Sequence, residues 1–311
     1  MNKIFSIGVI VLISGNAAGA QNPSNAANAR LCGDENPDVS IAGCTAIIQS
    51  RREAGRALAK AFGARGVAYM ALQDFDRAIQ DFTQAVTIDA TDAGVFANRG
   101  AAYGARQEWD AAIRDFSQVV RLQPDSAHAF SDRAGMYLLA RQPDSAIQDF
   151  TEAIRLDPSF IDAILNRGLT LASTARCAQA IGDFTRVMQL NPKEPRAVLE
   201  RGVCREAAGD DNLALADFSA HLQLEPRSFS GFEHRAAVEF RLKQYDRALG
   251  DYGEAVGIMP NSARALYGQG VVKRMMGDVK GAEIDIAMAT ALRPAIAGEM
   301  AARGVKPLVE P

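Results

Sequence analysis

The chain is poor in the residues and motifs that announce a chemistry. Among 311 residues there are three histidines, four cysteines and one tryptophan. It contains no Gly-X-Ser-X-Gly elbow, no phosphate loop and no His-Glu-X2-His pair, which removes the common signatures of hydrolases, nucleotide-binding enzymes and zinc proteases. No Cys-X2-Cys stands near a histidine, so no zinc site or other metal or cofactor is expected. The net charge is −3 with both signs interspersed, which leaves no nucleic-acid footprint. The longest early apolar run, Ile4 to Ile13, falls well short of the ~20 residues that a membrane span needs. The sole Asn-X-Ser/Thr sequon, Asn22-Pro23-Ser24, is disqualified by its proline. No linker or low-complexity stretch divides residues 38 to 305.

What is present at the N-terminus reads as an export signal. Lys3 precedes the apolar run, and Ala18-Gly19-Ala20 follows it as a small-residue cleavage site. Residues 1–20 are therefore expected to be a signal peptide, cut after Ala20, and 21–37 a flexible polar segment. No cysteine follows the cleavage site to carry a lipid anchor. Arginine outnumbers lysine 27 to 7, a bias common in GC-rich bacterial genomes. The expected location is the bacterial periplasm or the exterior.

The dominant pattern is a period of 34. Arg-Gly recurs at Arg65-Gly66, Arg99-Gly100, Arg167-Gly168, Arg201-Gly202 and Arg303-Gly304, with Arg133-Ala134, Arg235-Ala236 and Gln269-Gly270 in the same frame. Alanine follows twelve residues after each small residue, from Ala78 to Ala282. Aspartate follows fifteen after, from Asp81 to Asp285, next to a large side chain such as Phe82, Phe116 or Tyr252. Proline closes most units, from Pro124 to Pro294, and stops a helix because the residue before proline avoids the α region. Apolar residues three and four apart, as in Ala78, Ile79, Phe82, Ala85 and Val86, mark each unit as a pair of helices. The small residue within the first helix, facing a second-helix alanine, predicts close approach of the two axes. The bulky residue four positions on is expected to fill the gap between neighbouring units.

These residues resemble the tetratricopeptide repeat family, whose Gly/Ala, Tyr, Ala, Phe, Ala, Pro pattern is matched by Gly66, Tyr69, Ala78, Phe82 and Ala85, then by Gly100, Tyr103, Ala112, Phe116 and Pro124. The resemblance implies an all-α, right-handed superhelical solenoid. Seven repeats are expected over 59–296 (59–92, 93–126, 127–160, 161–194, 195–228, 229–262 and 263–296). The Tyr place changes in the later ones to Leu171, Arg205, Glu239 and Lys273. A half-repeat is expected at each end: an N-terminal capping helix in 38–58, with Cys44 in the Phe place, and a C-terminal capping helix and tail in 297–311. Residues 295 to 305 read as an orphan first helix, which Pro307 prevents from extending to a full repeat. With both orphans the expected count is sixteen helices and no sheet.

An exported chain with an even number of cysteines suggests two disulfides. The preferred pairs are Cys32–Cys44, folding a loop onto the capping helix, and Cys177–Cys204, joining the start of one second helix to the next unit's first helix. Four free cysteines are the alternative. The recurrent aspartates each stand sixteen residues after an arginine in six of seven units. An exposed Arg–Asp ladder setting register is expected rather than acid–base chemistry. His128 and His234 begin first helices three units apart and cannot share a metal.

The family's concave face comes from fixed positions of each first helix. Carried onto this chain, its first half holds Gly63, Val67, Met70, Ala97, Asn98, Ala101, Ser131, Asp132 and Leu138, which are small and mostly apolar. Its second half holds Asn166, Arg196, Glu200, Glu206, Glu233, His234, Phe240, Arg241, Arg264, Tyr267 and Arg274, a charged stretch suited to salt bridges. The family's chaperone-tail clamp uses Lys and Asn in one unit, Asn in the next, then Lys and Arg. Here the places before Asn98 hold Gly63 and Val67 and those after it His128 and Asp132, so that clamp is absent. The expectation is a non-catalytic scaffold holding a protein or peptide partner, anchored by Arg196, Arg241, Arg264 and Arg274 with Phe240 and Tyr267. A competing reading has Glu200, Glu206 and Glu233 neutralise the arginines internally. Behind it stand an accessory subunit docking a cell-wall or polysaccharide enzyme, and then an enzyme in its own right.

Overall fold

A computed structural model describes residues 23–306. The expected signal peptide, its cleavage site and Pro307 lie outside the described residues. Every regular element among those described is a helix, seventeen in all. The chain divides into two compact units, up to Ala163 and from Ile164.

The first unit contains α1 (Pro23–Leu31), α2 (Pro37–Ser50), α3 (Gly55–Ala71), α4 (Phe75–Ile88), α5 (Ala93–Ala105), α6 (Trp109–Leu122), α7 (Ala127–Leu139) and α8 (Pro143–Leu156). Helix α9 (Ile161–Ser173) begins there and runs into the second unit. That unit continues with α10 (Cys177–Leu190), α11 (Pro195–Ala208), α12 (Asp211–Leu224), α13 (Phe229–Arg241), α14 (Tyr245–Ile258), α15 (Ala263–Met275), α16 (Val279–Leu292) and α17 (Ile296–Ala302). From α3 onward, odd-numbered helices are first helices of hairpins and even-numbered ones their partners. Each hairpin also packs on the next one within its unit.

Local chemistry sets the boundaries. Asp92, Ser126, Ser228 and Ser262 accept hydrogen bonds from backbone N–H groups one turn into the following first helix, satisfying donors that the helix leaves unpaired. Each hairpin turn contains one residue in the left-handed region. It is Gly209 and Gly277 in two cases, but Gln73, Gln107, Arg141, Ala175 and Lys243 in the others, again 34 apart. A left-handed residue reverses the chain at a helix end.

The helix beyond the expected sixteen is α1, which lies within the 21–37 segment expected to be flexible and packs against α2. Gly43 permits this: a Cβ there would stand 2.6 Å from the Leu31 Cβ and 2.7 Å from the Cys32 N. The Cys32–Cys44 disulfide closes the same contact, with Cα atoms 4.5 Å apart. The other expected disulfide is corrected. Cys177 and Cys204 are free thiols. The two interact across α10 and α11, but burial first and that contact second push the Cys204 thiol far above its ordinary range, and it is the thiolate that forms disulfides.

Packing around the small first-helix residues also differs from expectation. The obstacle to a side chain is the large second-helix residue of the same hairpin, not the alanine alone. A Cβ on Gly66 would meet the Phe82 ring at 2.6 Å, and one on Gly202 would meet Phe218 at 2.7 Å. These rings are fully buried within their hairpins.

Candidate functional site

Two arrangements of polar side chains recur or cluster on the first helices. The first is the ladder. Arg65, Arg99, Arg133, Arg167, Arg201 and Arg235 each donate two hydrogen bonds, through Nε and Nη2, to Asp81, Asp115, Asp149, Asp183, Asp217 and Asp251. In Arg65, Arg99, Arg133, Arg201 and Arg235 the third nitrogen, Nη1, also reaches back to a hydroxyl on the preceding second helix. The acceptors are Thr45, Thr83, Ser117, Thr185 and Ser219, at 2.9 to 3.4 Å. Each such arginine therefore pins its own hairpin and the one before it. The pairs were expected to be exposed. Instead every aspartate of the ladder is buried, and Phe62, Phe96, Phe130 and Phe232 rings lie 5.6–5.8 Å from the guanidinium carbons of their arginines. In the last hairpin, where Gln269 replaces the arginine, Lys273 Nζ reaches Asp285 at 2.6 Å. The ladder is structural, because each of its groups is consumed by a neighbour.

Two variations at the Tyr place stand out. Arg205 adds a second cation to Asp217, at 2.8 Å. Glu239 does the opposite and sets a buried carboxyl beside Asp251, with Oε2 lacking a hydrogen-bond partner. Burial, then the Asp251 charge, raises Glu239 to about 7 against the opposing pull of Arg235.

The second arrangement is a cluster on α11 and α13. Glu233 is fully buried and Glu206 nearly so. Both accept hydrogen bonds from one guanidinium, that of Arg303 beyond α17: Nη1 donates to Glu233, and Nη2 donates to Glu206 at 2.9 Å. His234 Nδ1 lies 2.6 Å from Glu206. Arg241 donates to Asp211 at 2.6 Å and to the backbone carbonyl of Arg303 at 2.9 Å. Burial would raise Glu206, but the hydrogen bond and charge of His234, followed by Arg303, bring it down to about 2.

Around this ionic knot the segment from Ile296 to Val305 buries three side chains. Ile296, Met300 and Val305 join a core with Phe240, Leu266 and Tyr267. The C-terminal helix was expected to stack as an orphan first helix at the end of the array. It packs more extensively on α15 than on α16, and carries the following residues back onto α13 and α11. The reason lies in α16, which exposes Glu283 and Thr290 where earlier second helices carry pairs such as Ile79 and Val86, or Leu249 and Val256.

The expected anchors separate accordingly. Glu206, Glu233 and Arg241 come together in the knot, with Arg264 3.7 Å from Glu233. Phe240 and Tyr267 are under the C-terminal segment rather than open to a partner. Arg274 is exposed at the end of α15, and Arg196 sits half-buried on α11; neither appears among the residues of the knot. Asn166 is half-buried on α9. In the first unit Asn98 is half-buried on α5 and Asp132 exposed on α7. The Asp132 carboxyl is flanked closely enough by protein to be pushed up to about 6, His128 opposing. Arg303 and Asp211 were not among the expected site residues. Arg303 stood in the sequence only as a marker of the repeat frame, and its repeat-frame place gave no sign of acids 70 and 97 residues earlier.

No group of His, Cys, Asp and Glu among the described residues could hold a metal ion. No described helix is long and apolar enough to cross a membrane.

Comparison with known proteins agrees with this architecture. Models of the tetratricopeptide repeat match residues 59–92, 98–159 and 165–229, just over half of the chain. No curated protein matches. Among solved structures, YrrB, described as a TPR protein with an unusual peptide-binding site, is 22% identical, covers 60% of this chain and 95% of its own, and superposes with a TM-score of 0.54. The C-terminal part of a TPR protein from Cytophaga hutchinsonii is 16% identical over 76% of this chain and 97% of its own, with a TM-score of 0.62. PilW, a type IV pilus biogenesis factor, is 20% identical over 65% and 94%, with a TM-score of 0.54. At these identities the likeness is one of fold.

Proposed function

Since the chain belongs to the tetratricopeptide repeat family, we propose that it is an exported, non-catalytic scaffold that holds a protein or peptide partner on the face lined by its first helices. The observation that carries this reading is the C-terminal segment. On the first helices of the second unit a stretch of chain is held by a bidentate arginine and three apolar side chains, which are the anchors a bound peptide would use. The corresponding face of the first unit, at Val67, Met70, Asn98, Ala101, Ser131 and Leu138, is half-buried throughout and offers small, mostly apolar contacts to a partner. The peptide-binding description of YrrB, a protein of the same fold, supports the reading.

Export is supported by the N-terminal signal pattern and by the Cys32–Cys44 disulfide, since such bonds persist in oxidising compartments. A photo-cross-linking residue placed at Asn98 or Met70 in the native cells tests the proposal. Capture of a defined envelope protein is expected, with loss of capture when Ala101→Arg fills the face. Cross-links confined to cytoplasmic proteins would overturn the export reading. Unchanged capture by the Ala101→Arg chain would place the partner elsewhere.

A further inference from the structure

The knot around Arg303 has the composition of a recognition site with its occupant in place. Glu206 and Glu233, both buried, accept from the two terminal nitrogens of one guanidinium. That fork geometry suits arginine; a lysine ammonium is a single point and matches it poorly. Glu233 keeps a second oxygen, Oε2, fully buried and without a hydrogen-bond partner. Arg264 stands 3.7 Å from it, beyond hydrogen-bond reach. Part of the pocket wall is held independently of the occupant, since Arg241 is fixed by Asp211 and both Arg241 and His234 reach Glu206, whereas Glu233 takes its hydrogen bond from Arg303 itself.

The occupant is a short segment attached through few side chains. Helix α17 has seven residues. Ala297, Gly298, Glu299, Ala301, Ala302 and Gly304 are exposed, leaving Ile296, Met300, Arg303 and Val305 as the points of attachment. The turn after Arg303 depends on Gly304, whose φ is 79° and whose missing Cβ leaves room for the Arg241 side chain.

We infer that the pocket between α11 and α13 is a guanidinium site for a partner peptide, and that segment 296–306 is its resident intramolecular competitor. The partner presents an arginine flanked by aliphatic side chains and binds by displacing that segment. This rests on the scaffold reading above and names the partner's chemistry and its gate. A face whose open form is rare binds with its affinity reduced by that fraction, so dislodging the resident segment must tighten binding.

The test uses a fluorescein-labelled peptide with the sequence of residues 295–306, followed by fluorescence anisotropy against the full chain. Two variants dislodge the resident segment in different ways: Arg303→Ala removes the guanidinium, and Gly304→Val obstructs the turn while keeping it. Both are expected to bind the peptide about tenfold tighter, or more, than the parent chain does. A peptide carrying Arg303→Ala is expected to lose that binding, and one carrying Arg303→Lys to be weakened. The inference is overturned if the Arg303→Ala peptide binds as well as the original. It is equally overturned if either variant keeps its helical spectrum and melting transition yet binds no tighter than the parent. Partner capture in cells separates the two readings. Capture that survives Glu233→Gln with Glu206→Gln fails this inference alone, whereas peptide binding without any captured partner fails the scaffold reading alone.

Discussion

At Gly202 a single hydrogen atom decides whether a hairpin closes. A Cβ there would lie 2.7 Å from one carbon of the Phe218 ring and 3.1 Å from the Asp217 Cβ. Helix interiors disfavour glycine by ~1 kcal/mol relative to alanine, so its presence reflects this contact. Gly202→Leu is expected to lower stability by about 1–3 kcal/mol or more through overpacking, read as a fall in the urea midpoint. Glu239 is the opposite case, a residue whose presence costs stability. Its folded pKa is raised to about 7 by burial and by Asp251. A raised carboxyl contributes stability that is fully present below its unfolded pKa and is lost as pH rises through the folded value. Stability should therefore fall between about pH 4.5 and 7. Glu239→Gln is expected to flatten that decline and to raise stability at pH 8 by on the order of 1 kcal/mol. Melting curves of the two chains across that range measure it, and a parallel pH dependence would show that another group is responsible.

Between elements, the arginine ladder supplies what hydrophobic packing lacks, namely direction. Apolar side chains between hairpins are tolerant of small slips, whereas Arg99 must reach Asp115 on its own second helix and Thr83 on the previous one at once. Removing one end leaves a buried charge unpaired. Asp115→Ala is expected to cost about 3–5 kcal/mol, and Thr83→Val, which removes a neutral acceptor, about 0.5–1.5 kcal/mol. Equal costs for the two would contradict the assignment of the aspartate as the principal partner. At the N-terminal end the disulfide takes over this role for α1, which has few large apolar side chains of its own. Cys32→Ser with Cys44→Ser should lower the free energy of local opening of α1 by about 2–4 kcal/mol. Amide exchange over residues 27–50 reads that change.

Across the second unit, the C-terminal end of the chain returns upon the unit's own first-helix face. Glu206, lowered to about 2 within the knot, contributes stability present above its unfolded pKa and lost as pH falls through the folded value. Arg303 and Arg241 donate to it, and His234 Nδ1 lies 2.6 Å from it. The C-terminal segment should therefore be seated at neutral pH and progressively released between about pH 4.5 and 2. Amide exchange at residues 296–306 is expected to rise in that window before the hairpin cores open. Simultaneous loss of protection everywhere would make the segment part of the global fold and not a separable gate.

The 34-residue frame determined the hairpins by itself, because the signals are local. Gly66 needs Phe82, Arg65 needs Asp81, and proline ends a helix within a few residues of where it stands. The Cys32–Cys44 contact was legible for the same reason, spanning only 12 residues. The Cys177–Cys204 expectation found the right neighbourhood but not the bond: the two thiols interact across α10 and α11 and are free. Of the expected anchors, Glu206, Glu233 and Arg241 were recognisable as first-helix face positions. The competing reading, that the acids neutralise the arginines, is met where Glu206 pairs with Arg241 and Glu233 lies near Arg264; the guanidinium that Glu206 and Glu233 both hold was not foreseen. Their partner Arg303 occupies a repeat-frame place and meets Glu206 across 97 residues. Only the packing decides that meeting, because α16 ends the array with Glu283 and Thr290 exposed in place of an apolar seam. The apolar side chains of the last segment were left to find burial on the face of the first helices.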